Sequence, residues 1–203
     1  MRVLNLYAGI GGNRKLWEDV EVTAVEINPE IAAIYQDFYP NDKVIIGDAH
    51  EYLLKHFREF DFIWSSIPCQ SHSRARFWVS SSDNNVKPVF PDMKLYEEIL
   101  FLNHYFKNKY VVENVMPYYK PLIFPAAKIG RHLFWSNFYI INKTFKEADI
   151  NKGTVDEYQE IHSIDISKYK LSIRRDQVLR NCVNPELGKY ILECSKSKQI
   201  TLF

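Results

Sequence analysis

Residues 3–27, VLNLYAGIGGNRKLWEDVEVTAVEI, decide the fold. Val3–Leu6 is a short apolar run broken by the AGIGG stretch. NRKLWEDV then has the length and pattern for about two helical turns, and VTAVEI is a second apolar run. Strand, glycine turn, helix, strand is the beginning of an alternating chain, and the alternation continues outward. Pro29 stands where a helix over IAAIYQDFYP would begin, and KVIIGD gives a third strand stopping at Gly47 and Asp48. AHEYLLKHFREF is amphipathic, FDFIWSS at 60–66 reads as a buried strand, MKLYEEILFLNHYFKN as a long helix and YVVENV at 110–115 as a fifth strand. Five strands alternating with helices predict an α/β fold: a mostly parallel sheet with right-handed crossovers and helices on both faces.

Beyond Val115 the pattern weakens. HLFWSNFYII at 132–141 predicts outer strands in an antiparallel hairpin with a later segment, and residues 142–173 are polar and without a clear period. VNPELGKYILECSK predicts a closing helix capped by Asn184 with Pro185 at its first position. No internal repeat is present, and the only biased stretch is SSSDNN at 80–85.

With 203 residues, 46% of them hydrophobic, the chain can bury a sizeable core, which argues for one domain spanning 1–203 and against a disordered protein. Its longest apolar runs fall well short of the ~20 residues a membrane span needs, and no signal-peptide pattern precedes the first strand. Cysteines at 69, 182 and 194 have no tight pair spacing, which fits a reducing compartment; the expectation is a cytoplasmic protein. A net charge of +1 predicts no global electrostatic grip on nucleic acid, leaving local clusters such as Arg74 with Arg76, Lys128 with Arg131, and Arg174, Arg175 and Arg180. Such clusters are most often solvated surface.

Ligands of parallel sheets bind beyond the carboxyl ends of the strands, and there the suggestive residues gather: AGIGG, Glu26, Asp48, Pro68 with Cys69, and Glu113 with Asn114. A glycine turn followed by an acidic residue seventeen positions after Gly9 is a nucleoside-cofactor arrangement, the carboxylate serving the ribose hydroxyls. By itself the turn needs no ligand. Asp48 adds a third group on the same edge, able to accept from an adenine amino group. Cys69 has three readings: a small apolar filler, half of a zinc site with His72, or a nucleophile. The zinc reading lacks a second ligand pair. The nucleophile reading gains from a polar loop in which Arg74 and Arg76 would favour a thiolate. Glu113 lies in an apolar strand, where a carboxylate needs either a structural partner or a role in proton transfer.

In combination these residues resemble the DNA (cytosine-5)-methyltransferase family: LYAGIGG at 6–12, VEINPE at 25–30, GDA at 47–49, IPCQSHS at 67–73, ENV at 113–115 and QVLRNCV at 177–183, the last with Arg180 where the family motif has glycine. The likeness covers residues 1 to 141 and 174 to 195. It implies a Rossmann-like class I methyltransferase sheet and S-adenosylmethionine-dependent methylation of carbon 5 of cytosine, with no metal. Cys69 would be the nucleophile and Glu113 the acid, Gln70, Asn114 and Ser73 would support loop and substrate, and Arg131 would contact the base or its phosphate. Tyr7 would lie by the sulfonium on the turn formed by Gly9, Gly11 and Gly12. Glu26 would take the ribose, Asp48 with Ala49 the adenine, and Pro68, Asn181 and Val183 would complete the cofactor site.

The implied partner is nucleic acid, foremost duplex DNA with the target base turned out of the stack, in a bacterial or phage-type setting such as restriction-modification. Loop 71–90 is the candidate segment that closes over the base. The chain departs from the family at Asn5, which replaces Asp, and at Ile27, which replaces an aromatic. It also has only about thirty residues, 142–173, where the family inserts a recognition domain, too few for an independent core. A minimal catalytic domain follows, with specificity slight or supplied by loops or a partner. Methylation of cytosine in RNA or in a free nucleotide, and a non-catalytic cofactor-binding subunit, are the competing expectations. Cys69 and Glu113 together speak against the last.

Overall fold

The computed structural model describes residues 1–82, 87–146 and 153–197. Seven strands form one sheet in the order β3-β2-β1-β4-β5-β7-β6. They are β1 (Arg2–Leu6), β2 (Glu21–Glu26), β3 (Lys43–Ile46), β4 (Phe62–Ser66), β5 (Lys109–Val115), β6 (Ala127–Ile129) and β7 (His132–Ser136). The first five run parallel, and β7 turns antiparallel against β5, setting His132 opposite Val115.

Period-two alternation sends residues of each strand to opposite faces. Leu4, Leu6, Ile63 and Val112 pack with Leu53 of α2 (Ala49–His56) and with Leu95, Ile99 and Leu102 of α4 (Lys94–Tyr105). Val3, Phe62, Trp64 and Val111 pack with Leu187, Ile191 and Leu192 of α7 (Pro185–Lys196). Ala24 of β2 meets Tyr35 of α1 (Pro29–Phe38). The predicted caps are present: the Asn28 and Asn184 side chains accept from the first-turn amides of α1 and α7, each with proline at the first helical position.

Four expectations are corrected. NRKLWEDV forms successive turns and no helix. The reason is that the segment bonds outward: Asn13 exchanges amide hydrogen bonds with buried Asn5, Arg14 forks onto Asp42, and the Trp17 indole donates to the Gly188 carbonyl. The outer hairpin joins β7 to the earlier β6 across Gly130, and residues 137–141 are not strand. The polar loop after Cys69 contains α3 (Arg74–Ser82), in which Ser80, Ser81 and Ser82 return their hydroxyls to backbone carbonyls of the preceding turn. The unpatterned segment 142–173 contains α5 (Val155–His162), followed by α6 (Arg175–Arg180). Residues 83–86 of the expected closing loop and 147–152 of the expected recognition segment lie outside the described residues, as does the Arg76 side chain.

Among the described residues no helix is long and apolar enough to cross a membrane.

Candidate active site

The carboxyl edge of the sheet opens into a cavity of about 380 Å³. Five of its walls are strand ends far apart in sequence: Tyr7 and Gly9 after β1, Glu26 and Ile27 at β2, Asp48 and Ala49 after β3, Pro68, Cys69 and Gln70 after β4, and Glu113 with Asn114 at β5. Arg131 enters from the turn between β6 and β7, His132 from β7, and Arg180, Asn181 and Val183 from the end of α6 and the residues after it.

The glycine turn divides into two kinds of residue. Gly9 has φ +56° and open space where a side chain would stand, so its backbone faces the cavity. Gly11 and Gly12 do not line the cavity. A Cβ on Gly11 would come within 2.3 Å of Tyr39 and 2.8 Å of Tyr35, and one on Gly12 within 2.6 Å of the Val183 carbonyl. They are small because other chain segments press against them, so packing alone accounts for their lack of side chains. Tyr7 also has a left-handed backbone, φ 54°, a strained conformation for a side chain of this size. Its hydroxyl donates at 2.7 Å to Glu98 of α4, a fully buried carboxylate that also accepts from Ser65 at 2.6 Å and faces His50 at 3.0 Å. Burial and the Glu98 charge push the Tyr7 phenol far upward, so it stays a neutral donor.

Glu26 accepts the Gly9 amide on one oxygen and the Asn28 amide on the other, at 3.0 and 2.9 Å. Each oxygen keeps a lone pair for a further donor, and Ile27 beside it is an exposed apolar face. The Asp48 carboxylate is more committed than the sequence suggested: one oxygen caps α2 through the Glu51 amide and the other lies 3.4 Å from Lys94. The cap, aided by Lys94, holds its carboxyl below the usual range. These features suit a nucleoside cofactor: a bare backbone turn, a carboxylate with spare acceptors and an apolar side wall.

Around Cys69 the loop is fixed by its neighbours. Asn114 donates to the Ile67 carbonyl at 3.0 Å, Cys69's own carbonyl accepts the His72 and Ser73 amides, and His72 meets the Tyr119 hydroxyl at 2.6 Å. His72 is fully buried in that contact, a structural role. Ser73 bridges to Pro117, while Gln70 is exposed at the cavity rim. Burial is the main influence raising the Cys69 thiol, the Glu113 charge adds to it, and Arg131 opposes both. Arg74, expected to favour the thiolate, points its guanidinium to the Pro117 carbonyl instead; the cation acting on the thiol is Arg131. Glu113 is 5% exposed and lies 2.6 Å from His132 Nδ1. His132, Lys94, Asp92 and Arg180 line the cavity without having been singled out as site residues. For His132 the signal was the strand pairing, visible only once β7 is placed beside β5.

A sheet with five parallel strands and an antiparallel outer hairpin, helices on both faces and its cavity at the carboxyl edge is a Rossmann-like class I methyltransferase fold. Residues 1–93 match the family model described as C-5 cytosine-specific DNA methylase. Among solved structures, the chain is similar to a Spodoptera frugiperda DNMT2 mutant, with 25% identity over 56% of this chain and 35% of that one, TM-score 0.40. It is similar to the Entamoeba histolytica methyltransferase EhMeth, with 17% identity over 57% and 38%, TM-score 0.37. It is also similar to a putative DNA modification methyltransferase encoded within an E. coli prophage, with 19% identity over 59% and 33%, TM-score 0.40. The chain thus covers about a third of the length of these proteins. No curated protein matches it in sequence.

Proposed function

We propose that the chain methylates carbon 5 of cytosine in DNA, using S-adenosylmethionine and a covalent adduct at Cys69. The observation that carries this reading is the convergence of Tyr7, Glu26, Cys69, Glu113 and Arg131, from five separate segments, on one cavity beyond the sheet. S-adenosylmethionine, when bound, supplies an electrophilic methyl group. Gly9, Ala49, Pro68, Asn181 and Val183 shape its site together with Tyr7, Glu26, Ile27 and Asp48. Glu26 takes the ribose hydroxyls on its free lone pairs, and the Tyr7 ring offers an aromatic face to a cation.

The Cys69 sulfur adds to carbon 6 of the cytosine ring, opening the 5,6 double bond and making carbon 5 nucleophilic. Glu113, held by its hydrogen bond to His132, delivers a proton to ring nitrogen 3 as negative charge builds there. The free thiol is held protonated by burial and by the Glu113 charge. Addition therefore requires the thiol to give up its proton, which passes to water in the cavity while the Arg131 charge favours the thiolate. After methylation, water takes the carbon 5 proton, the 5,6 double bond re-forms as the Cys69 thiolate leaves, and ring nitrogen 3 returns its proton to Glu113, restoring the ring. Asn114 and Gln70 hold the Cys69 loop against the base, and Arg131 stabilises the thiolate.

We also propose that the chain acts as a single catalytic unit whose segment 142–173 is a reduced recognition element, assisted by residues 71–90 or by a partner. Trapping on a 5-fluorocytosine oligonucleotide tests the mechanism: the native protein forms the adduct, and Cys69→Ser does not while still binding cofactor. Continued trapping by Cys69→Ser would move the nucleophile elsewhere. Labelled-methyl transfer to duplex DNA, single-stranded DNA, tRNA and dCMP tests the substrate, and bisulfite sequencing tests the segment. Methylation confined to one long site would refute a reduced recognition element.

A further inference from the structure

We infer that Arg180, together with Arg131, forms an oxyanion-binding site on the cavity wall, filled by a phosphate of the substrate strand or by the cofactor's carboxylate. Which of these carries the oxyanion rests on the function proposed above; the site itself does not.

Arg180 stands on the last turn of α6, lines the cavity, and holds Arg131 by accepting its Nη2 on the Arg180 carbonyl at 3.0 Å. Its Nε is buried and has no hydrogen-bond partner among the described residues. An unpaired buried donor is costly, and on a guanidinium more so. The nearest carboxylate does not fill the gap. Asp176 pairs with Arg180 only at its edge, 3.6 Å from Nη2, and is shared with Arg174, whose fork meets both of its oxygens at 3.0 and 2.8 Å. Arg131 has no carboxylate partner within ion-pair distance among the described residues, and Glu113 beside it is held by His132.

The cavity is therefore polarised. Its acidic groups Glu26 and Asp48 sit at β2 and β3, while two guanidinium groups gather towards β7 and α6. Nearby His162 feels the Arg131 side of that wall: burial foremost, then Arg131, His132 and Lys15, push its imidazole down to about 4. The two guanidinium groups on this wall, Arg131 without a carboxylate partner among the described residues and Arg180 with one that it shares, suit two oxygens of one anion. The sequence QVLRNCV has this arginine at the position where the family motif has glycine, so the feature belongs to this chain.

The test uses the full chain and three variants. Arg180→Gln removes the fork and weakens oxyanion binding about tenfold or more. Arg174→Gln frees Asp176 to pair with Arg180 and weakens binding in the same direction. Asp176→Asn removes the competing carboxylate and tightens it. A role in folding alone would not give opposite signs on one helix.

Inorganic phosphate, followed by calorimetry, reads the site without any cytosine chemistry. An oligonucleotide with a neutral methylphosphonate beside the target cytosine, and decarboxylated S-adenosylmethionine, identify the carrier. The analogue that lacks the bound oxyanion loses about as much as Arg180→Gln does, with no further loss when the two are combined. Absence of cytosine trapping with the phosphate series intact would retire the enzyme reading and leave the site standing. The inference is overturned if Arg180→Gln changes binding of phosphate, oligonucleotide and cofactor by less than about twofold, or if its loss adds in full to both anion deletions.

Discussion

Replacing Gly9 and Gly11 separately by alanine should split the glycine turn into a binding residue and a packing residue. At Gly9 the new methyl meets nothing within 4 Å, so the cost to the fold is the left-handed backbone alone, about 1–2 kcal/mol for an L residue. For a chain of this size that lowers the melting temperature by about 2–8 °C. The same methyl projects beside the Gly9 amide that Glu26 holds, in the cavity wall, and should weaken S-adenosylmethionine binding about tenfold or more. At Gly11, φ +79° brings the same strain, and the Cβ falls within 2.3 Å of the Tyr39 ring and 2.8 Å of Tyr35. Tyr35 is fully buried with its hydroxyl on Asp42, and Tyr39 donates to the Gly11 carbonyl, so neither ring retreats without losing a hydrogen bond. Overpacking on top of the strain puts the loss at about 2–5 kcal/mol, or roughly 5–20 °C. Cofactor affinity of the folded Gly11→Ala protein should stay within about threefold of the native value. Thermal unfolding by circular dichroism and calorimetric titration read both quantities. The reasoning fails if Gly9→Ala melts below Gly11→Ala, or binds cofactor as the native protein does.

Glu113→Gln should abolish methyl transfer yet make Cys69 react faster with iodoacetamide at neutral pH, because the Glu113 charge is one of the influences raising the thiol; an unchanged alkylation rate would refute the coupling. Glu26→Ala should weaken cofactor binding and leave thiol reactivity alone, and an unchanged dissociation constant would remove its ribose role. His162 is lowered from 6.5 to about 4 in the folded chain, so the unfolded chain takes up a proton over that interval that the folded chain refuses. The stabilisation by its neutral form is complete above pH 6.5 and lost as pH falls towards 4, on the order of 3 kcal/mol. His162→Gln should flatten the melting temperature over that window, and an unaltered slope would refute the assignment.

The sheet was legible because its strands are local. VLNL, VTAVEI, KVII, FIWSS and YVVENV each announce themselves by a run of apolar residues, and each ends at, or one residue before, a residue that lines the cavity. What the sequence hid depends on contacts between distant segments. NRKLWEDV has helical spacing, but Asn13, Arg14 and Trp17 gain more from Asn5, Asp42 and the Gly188 carbonyl than from helical neighbours. The hairpin was assigned to the wrong partner because AKI is only three residues long, too short to show a period. His132 stayed unread for the same reason, since its pairing with Glu113 exists only through the β5–β7 register.

Segment 142–173 looked featureless because its apolar residues serve several surfaces at once. Tyr158, Ile164 and Ile166 bury with Val178 and Leu179 of α6 against Ile10 of the glycine turn and Ile31 and Ile34 of α1. The described part of the segment is therefore packed into the body of the fold, against the glycine turn and against α6, whose end brings Arg180, Asn181 and Val183 to the cavity. On the proposed function this bears on how a target is chosen. Among the described residues, a segment whose apolar side chains are spent on the core leaves polar ones for a nucleic acid, and the arginines at the cavity, Arg131 and Arg180, lie outside the segment and suit phosphate. Phosphate contacts position a strand without reading its sequence. Loose targeting by the chain alone then follows from the same packing that builds the cofactor wall, and tighter targeting requires base-reading groups from elsewhere.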